Sequence, residues 1–240
     1  MEECISVFDM LKIGVGPSSS HTLGPWRAAE RFLSELRNEN KLSATISIRV
    51  DLYGSLSLTG KGHATDLAVM LGLSNQNPET IPVQNIKGIT DQIINNKTIN
   101  LGGENTILFD PKVAIVFNKN FLPFHSNGIK FTAFFNQNDQ YEATYYSIGG
   151  GFVVVEERVN AKKKHVLKCA FPYIINNAAD LLQFAISEEK SISEIVLENE
   201  KSMRSENEIH DELLRIWNTM LECMYLGCHS EGILPGGLNV

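Results

Sequence analysis

The residues with which a chemical reading begins are His21, His63 and His125, each set among hydroxyls and glycines. Gly14 to Thr22 reads GVGPSSSHT, in which two glycines and a proline shape a tight turn before three hydroxyls, an imidazole and a fourth hydroxyl. Placed at a helix start, such a segment seats a carboxylate or phosphate on unpaired N–H groups, aided by the helix dipole. Ser and Thr are also the favoured cap residues, but capping uses one or two of these side chains and leaves the others unexplained. Gly54 to Asp66 reads GSLSLTGKGHATD and presents Lys61, His63, Thr65 and Asp66 within a few positions. An imidazole titrates near pH 6.5, and a lysine beside it favours the neutral, proton-accepting form. Two plainer roles remain open, His63 as a hydrogen-bonded structural group and Asp66 as an acid in a first helical turn. His125, Ser126, Asn127 and Gly128 make a third polar turn, although Asn127-Gly128 is explained by the turn itself.

Several chemistries are disfavoured by spacing. Lys61 is followed by Gly62, so no hydroxyl stands where a phosphate loop needs one for magnesium. Gly149-Gly150-Gly151 lets backbone approach closely but lacks dinucleotide spacing. A Ser–His hydrolase would carry a GxSxG elbow, which is missing.

The elements that must position these turns follow from periodicity. Trp26, Ala29, Leu33 and Leu36 recur at helical spacing over Thr22 to Arg37, and Pro25 suits a first helical turn. Ala44 to Tyr53 alternates, with Ile46, Ile48, Val50 and Leu52 on one face of a strand. A second short helix, Thr65 to Leu73, ends near Gly72. Residues 74–110 read as a loop-laden connection with short strand pieces such as Ile81 to Val83. Strands are expected over Val113 to Phe117, Lys130 to Phe135, Tyr141 to Ile148 and Phe152 to Glu157, with a hairpin turn at Asn136 to Asp139. Beyond a short basic run at Lys162 to His165 the pattern turns helical. Ala178 to Ala185 is one helix, Ser191 with Glu194 announces another by a capping box, and Ile209, Leu213, Trp217, Met220, Leu221 and Met224 stripe a long one bounded by Gly227.

The chain has 240 residues, 43% of them hydrophobic, and a formal net charge of -7. That acidity gives no broad basic field for nucleic acid, and no apolar run approaches the length of a membrane span. The acidic N-terminus MEECISVFDM is unlike a secretory signal, so a cytoplasmic protein is expected. Cys4, Cys169, Cys223 and Cys228 lack close CxxC pairs and read as reduced thiols, the five-residue spacing of Cys223 and Cys228 leaving only a remote metal role. The ending, Pro235 to Val240, reads as cut rather than finished.

Taken together, PSSSHT (Pro17 to Thr22), GSLSLTGKGHATD, FHSNGIKF (Phe124 to Phe131), YYSIGGGF (Tyr145 to Phe152) and EGILPGGL (Glu231 to Leu238) resemble, in order, the iron–sulfur L-serine dehydratases of bacteria. The resemblance runs along almost the whole chain. It implies an L-serine ammonia-lyase that makes pyruvate and ammonia without pyridoxal phosphate, using a 4Fe-4S cluster with one iron free to act as a Lewis acid on the substrate hydroxyl. By the same analogy His63 is the base, with Lys61 and Thr65 tuning or placing it. Ser18, Ser19, Ser20, His21 and Thr22 hold the substrate carboxylate, and His125 and Asn127 line the pocket.

The implied fold is α+β. Residues 1–165 form a mixed sheet with helices, similar to the allosteric substrate-binding domain of some phosphoglycerate dehydrogenases, and residues 170–240 supply the first helices of an all-α catalytic domain. Family members carry the cluster cysteines in a further helical half, and no cysteine here matches a cluster ligand, so no metal ligands are named. The expected partners are L-serine, a cluster-bearing C-terminal half or separate alpha chain, and a second copy in a homodimer of the complete enzyme, with neither nucleic acid nor membrane. The other function class is a non-catalytic amino-acid-binding or docking module of a split serine dehydratase.

Overall fold

The computed structural model describes residues 5–136, 139–156 and 171–233. Two compact units divide them, one within Gly14–Lys162 and one drawn from Met1–Ile13 and Lys163–Gly232. Helix α1 (Val7–Met10) belongs to the second.

The first unit opens with a π-helical turn, Ser19–Leu23, that runs directly into α2 (Gly24–Asn38). Then follow β1 (Ser47–Leu52), α3 (Ser55–Leu58), a 3-10 turn (Gly60–His63), α4 (Thr65–Leu73), α5 (Val83–Asn96), β2 (Thr98–Leu101) and β3 (Asn105–Leu108). The unit continues with α6 (Pro111–Ala114), β4 (Ile115–Phe117), β5 (Gly128–Phe134), β6 (Gln140–Gly149) and β7 (Phe152–Val155). Five strands make one mixed sheet in the order β4-β1-β5-β6-β7, antiparallel except for the parallel β4–β1 pair, while β2 and β3 form a separate hairpin. In the register Val50 faces Ile115 on one side and Phe131 on the other. The alternation of β1 works as expected from its pleat, since Ile48, Val50 and Leu52 point into a core shared with Ala29, Phe32, Leu33 and Leu36 of α2 and with Val69, Met70 and Leu73 of α4.

Three sequence readings in this unit are corrected. Ile46 precedes β1 and is exposed, because only its backbone N–H is engaged, by the carbonyl of Phe134. Residues 74–110 hold a 14-residue helix and a hairpin rather than a loop-laden connection. Helix α5 escapes periodicity because it buries only Thr90 and Ile93, and Asn-rich, Gly88-bearing sequence has poor helix propensity. Pro111–Ala114 turns helically before the strand, so the expected Val113 start moves to Ile115.

In the second unit α7 (Ala178–Ser187), α8 (Ile192–Lys201) and α9 (Glu206–His229) each carry a side-chain N-cap, from Asn177, Ser191 and Ser205. The last two complete the reciprocal box with Glu194 and Glu208. The buried Glu200 ties α1 to α8 by accepting from the Ser6 hydroxyl and the Val7 N–H, each at 2.8 Å, and pairs with Arg204 at 2.8 Å. Helix α9 continues past Gly227, and along it Leu213, Trp217, Met220 and Leu221 stay exposed. Among the described residues no helix is long and apolar enough to cross a membrane. Cys4, Cys169, the Lys162 to His165 run, Glu157, the middle of the Asn136 to Asp139 turn and Pro235 to Val240 lie outside the described residues.

Candidate active site

Four motifs far apart in sequence converge at the N-terminal end of α2. Ser18 caps the π-helical turn, its hydroxyl accepting the His21 N–H at 3.1 Å. The N–H groups of Thr22, Leu23 and Gly24 bond back to Ser18 and Ser19 carbonyls. Among the described residues those of Ser19 and Ser20 take no partner within the turn, as expected of helix-start donors.

His21 is held at both ring nitrogens, Nδ1 to the Ser20 hydroxyl and Nε2 to the Ser55 hydroxyl, each at 2.8 Å. Burial lowers its pKa below the ordinary histidine value, with the His63 imidazole adding to the effect. The two rings lie 4.9 Å apart between centroids, tilted by 37°. His63 Nδ1 stands 2.9 Å from the carbonyl oxygen of Thr59. A carbonyl only accepts, so Nδ1 carries the proton and the neutral ring presents the lone pair at Nε2, the nitrogen a general base would use.

The two loops are laced together by hydroxyls. Thr22 Oγ1 donates to the carbonyl of His63 at 2.9 Å, and Thr65 Oγ1 donates to the carbonyl of His21 at 2.6 Å. Ala64, between His63 and Thr65, has φ of 53°, a left-handed conformation that aims these neighbours in different directions. Gly54 enters the same loop at φ of 54°, and a Cβ there would lie 2.3 Å from the Ser126 carbonyl. That close passage lets Ser55 N–H bond to Ser126 at 2.8 Å, joining the His63 loop to the His125 turn.

The His125 turn is organised by its own ring, whose Nδ1 accepts the Asn127 N–H at 3.1 Å. Asn127 is buried, and its Nδ2 donates to the Ser147 carbonyl at 3.1 Å while its Oδ1 finds no partner among the described residues. Ser147 N–H returns to the Asn127 carbonyl at 3.0 Å, and Ser147 Oγ donates to the Ser20 carbonyl at 2.8 Å.

The sequence-derived candidates Ser18, Ser20, His21, Thr22, His63 and Thr65 are thus brought into one hydrogen-bonded group, with Asn127 and His125 joined to it through Ser147. Ser19 lies exposed in the turn and contributes its backbone. Lys61 is exposed and its ammonium sits 5.5 Å from the centre of the Phe117 ring, a cation–π contact. Asp66 accepts the Leu67 N–H at 3.0 Å, the first-turn role left open by its position. Ser55 and Ser147 escaped the sequence reading, although each lies within a quoted motif, because a hydroxyl's partner is decided by distant chain. Among the described residues no group of three His, Cys, Asp or Glu side chains could hold a metal ion, and Cys223 and Cys228 are exposed free thiols.

Residues 6–158 match the family described as "Serine dehydratase beta chain", and the chain belongs to that family. It is 43% identical over 238 residues to the L-serine dehydratase of Streptomyces coelicolor and 39% identical over 238 residues to that of Haemophilus influenzae, in each case across 98% of this chain and 52% of the relative. It is 40% identical over 237 residues to the L-serine dehydratase of Mycobacterium tuberculosis, 98% of this chain and 51% of that protein. The chain spans about half the length of the curated relatives it matches.

Proposed function

We propose that this chain is the substrate-holding, proton-abstracting part of an L-serine dehydratase, which converts L-serine to pyruvate and ammonia. The observation that carries this reading is the 2.9 Å contact of His63 Nδ1 with the Thr59 carbonyl, which in the neutral ring leaves Nε2 as the proton acceptor beside a hydroxyl-rich turn. The α-proton of an amino acid is weakly acidic, so a base must be placed against it and the carboxylate must be held still. The Ser19 and Ser20 N–H groups and the Ser18 to Ser20 hydroxyls are of the type that binds a carboxylate at a helix start. His63 Nε2 then takes the α-proton, and the enamine that forms on loss of the β-hydroxyl hydrolyses in water. His21, engaged at both nitrogens and kept neutral by burial, is a neighbour that adds no charge to repel a proton arriving on His63.

Loss of the β-hydroxyl needs an acid, and the family resemblance implies a 4Fe-4S cluster for it, with no pyridoxal phosphate. The donors described here do not fit such a cluster, so its ligands are assigned to a cluster-bearing C-terminal half or separate alpha chain, and no step is derived through it. The division near residues 165–170 then separates the beta domain from the first helices of a catalytic domain. The exposed apolar side of α9 supports a packing partner of that kind. A homodimer and a cytoplasmic setting complete the proposal.

The test is anaerobic pyruvate release from L-serine, for the chain alone with iron and sulfide and for the chain mixed with the C-terminal half of a relative such as the Streptomyces coelicolor enzyme. Pyruvate from the mixture alone is expected. Serine binding without pyruvate in any mixture would instead make the chain an amino-acid-binding module. In the complete enzyme His63→Ala should lower kcat at least about 100-fold while leaving the cluster absorption intact.

A further inference from the structure

Proline at the start of a helix is usually harmless because the first N–H groups have no partner anyway. Here the helical path begins earlier. The π-helical turn already bonds Leu23 N–H to the Ser18 carbonyl, five residues back, and Gly24 N–H to that of Ser19. A donor at residue 25 would serve Ser20 if this spacing continued, or His21 if the α-helical spacing of four began there. Residue 25 is proline and has no N–H, so it serves neither.

Both carbonyls are served from elsewhere in the fold. Ser147 Oγ donates to Ser20 at 2.8 Å and Thr65 Oγ1 donates to His21 at 2.6 Å. The donors are deeply buried, Thr65 at 0% exposure and Ser147 at 1%, and a Cβ on Gly24 would fall 1.9 Å from Ser147 Oγ, so the space was left for that hydroxyl. Thr22, buried in the same turn, sends its hydroxyl the other way to His63. We propose that Thr65 and Ser147 are positioning residues recruited by the missing N–H of Pro25, that Thr22 positions the His63 loop through its carbonyl, and that these three hydroxyls set the His21 and His63 rings against each other. Thr65 and Thr22 accordingly spend their hydroxyl protons on backbone carbonyls.

The inference concerns geometry and does not need the lyase reading; its consequence for turnover does. The test is therefore read on this chain by NMR titration of the His21 and His63 ring protons, with circular dichroism to confirm the fold. His63 is the titratable group facing His21, and Ser20 and Ser55 supply its neutral partners. Thr65→Val should shift the His21 midpoint up toward an ordinary histidine value, and Thr65→Ser should leave it where it is. Pro25→Ala restores a backbone donor at the joint, so Thr65→Val should shift His21 less in the Pro25→Ala background than alone. If Thr65→Val does not fold, Ser147→Ala is read the same way. A folded Thr65→Val chain with unmoved histidine titrations overturns the proposal, as does an equal shift with and without Pro25. Failure of the mixture to make pyruvate would sink the lyase reading and leave these titrations unchanged.

Discussion

Helix α2 buries Trp26, Ala29, Phe32, Leu33 and Leu36 to 1% exposure or less, whereas α9 leaves Leu213, Trp217, Met220 and Leu221 between 41% and 50% exposed. Both are amphipathic, and both would be marked as core helices from their spacing. Their widths differ. At 100° per residue the apolar positions of α9, from Leu226 through Cys223, Ile209, Leu213 and Trp217 to Tyr225, cover an arc of about 260°, while the buried side chains of α2, from Ala28 through Phe32 and Leu36 to Trp26, cover about 160°. Helix α2 meets its sheet and α4 with that narrower face and turns Arg27, Glu30 and Arg31 outward into ion pairs. Periodicity therefore reports which face seeks cover, and only the fold reports whether it has found it.

The sharpest way to break this comparison is truncation on both helices. Phe32→Ala removes a fully buried ring stacked 5.0 Å from Phe131 and should cost about 3–5 kcal/mol in urea unfolding. Next in size is the cap of α9. Ser205→Ala deletes the hydroxyl that accepts the Glu208 N–H and should cost about 1 kcal/mol, read as lost helicity, because little packing stands behind that helix.

A smaller effect separates the units by pH. His21 is depressed in the folded state, so as pH falls through about 6.5 the unfolded chain binds the proton first. The stability of the first unit should decline through that window until the depressed folded value is reached, and His21→Asn should flatten the slope in denaturation midpoints taken across it. Smallest of all, Trp217→Ala should change stability by less than about 0.5 kcal/mol in this chain. Acrylamide should quench Trp217 and spare Trp26, and addition of a partner half should protect Trp217. A cost for Trp217→Ala near that of Phe32→Ala would erase the distinction between the helices.

Much of this fold is legible in sequence because α2, β1, β5 and β6 bury what their period says they should. Helix α5 is not, since Thr90 and Ile93 alone are too few buried positions to raise a period above Asn-rich surroundings. At the site the converging motifs could be named beforehand, because Ser, His, Gly and Thr cluster there at unusual density. What each hydroxyl does could not. Thr65 and Lys61 are both expected to tune or place the base, and it is the fold that sends the Thr65 hydroxyl to the His21 backbone and the Lys61 ammonium over Phe117. A hydroxyl and a lysine chain reach several partners, and the choice is made by elements more than 40 residues away, as for Thr65 and the His21 carbonyl, 44 apart.

The Ser147–Ser20 bond joins residues 127 apart, with β1, β4 and β5 lying between them in sequence. Closing a loop of that length carries an entropy cost that local hairpins such as β5–β6 never meet. The Ser20 carbonyl therefore gains its Ser147 donor only once β6 has met the sheet, whereas the bonds of Thr65 to His21 and of Thr22 to His63 span 44 and 41 residues. The turn at the start of α2 is in this way fastened at two ranges, a nearer one by the His63 loop and a farther one by the sheet.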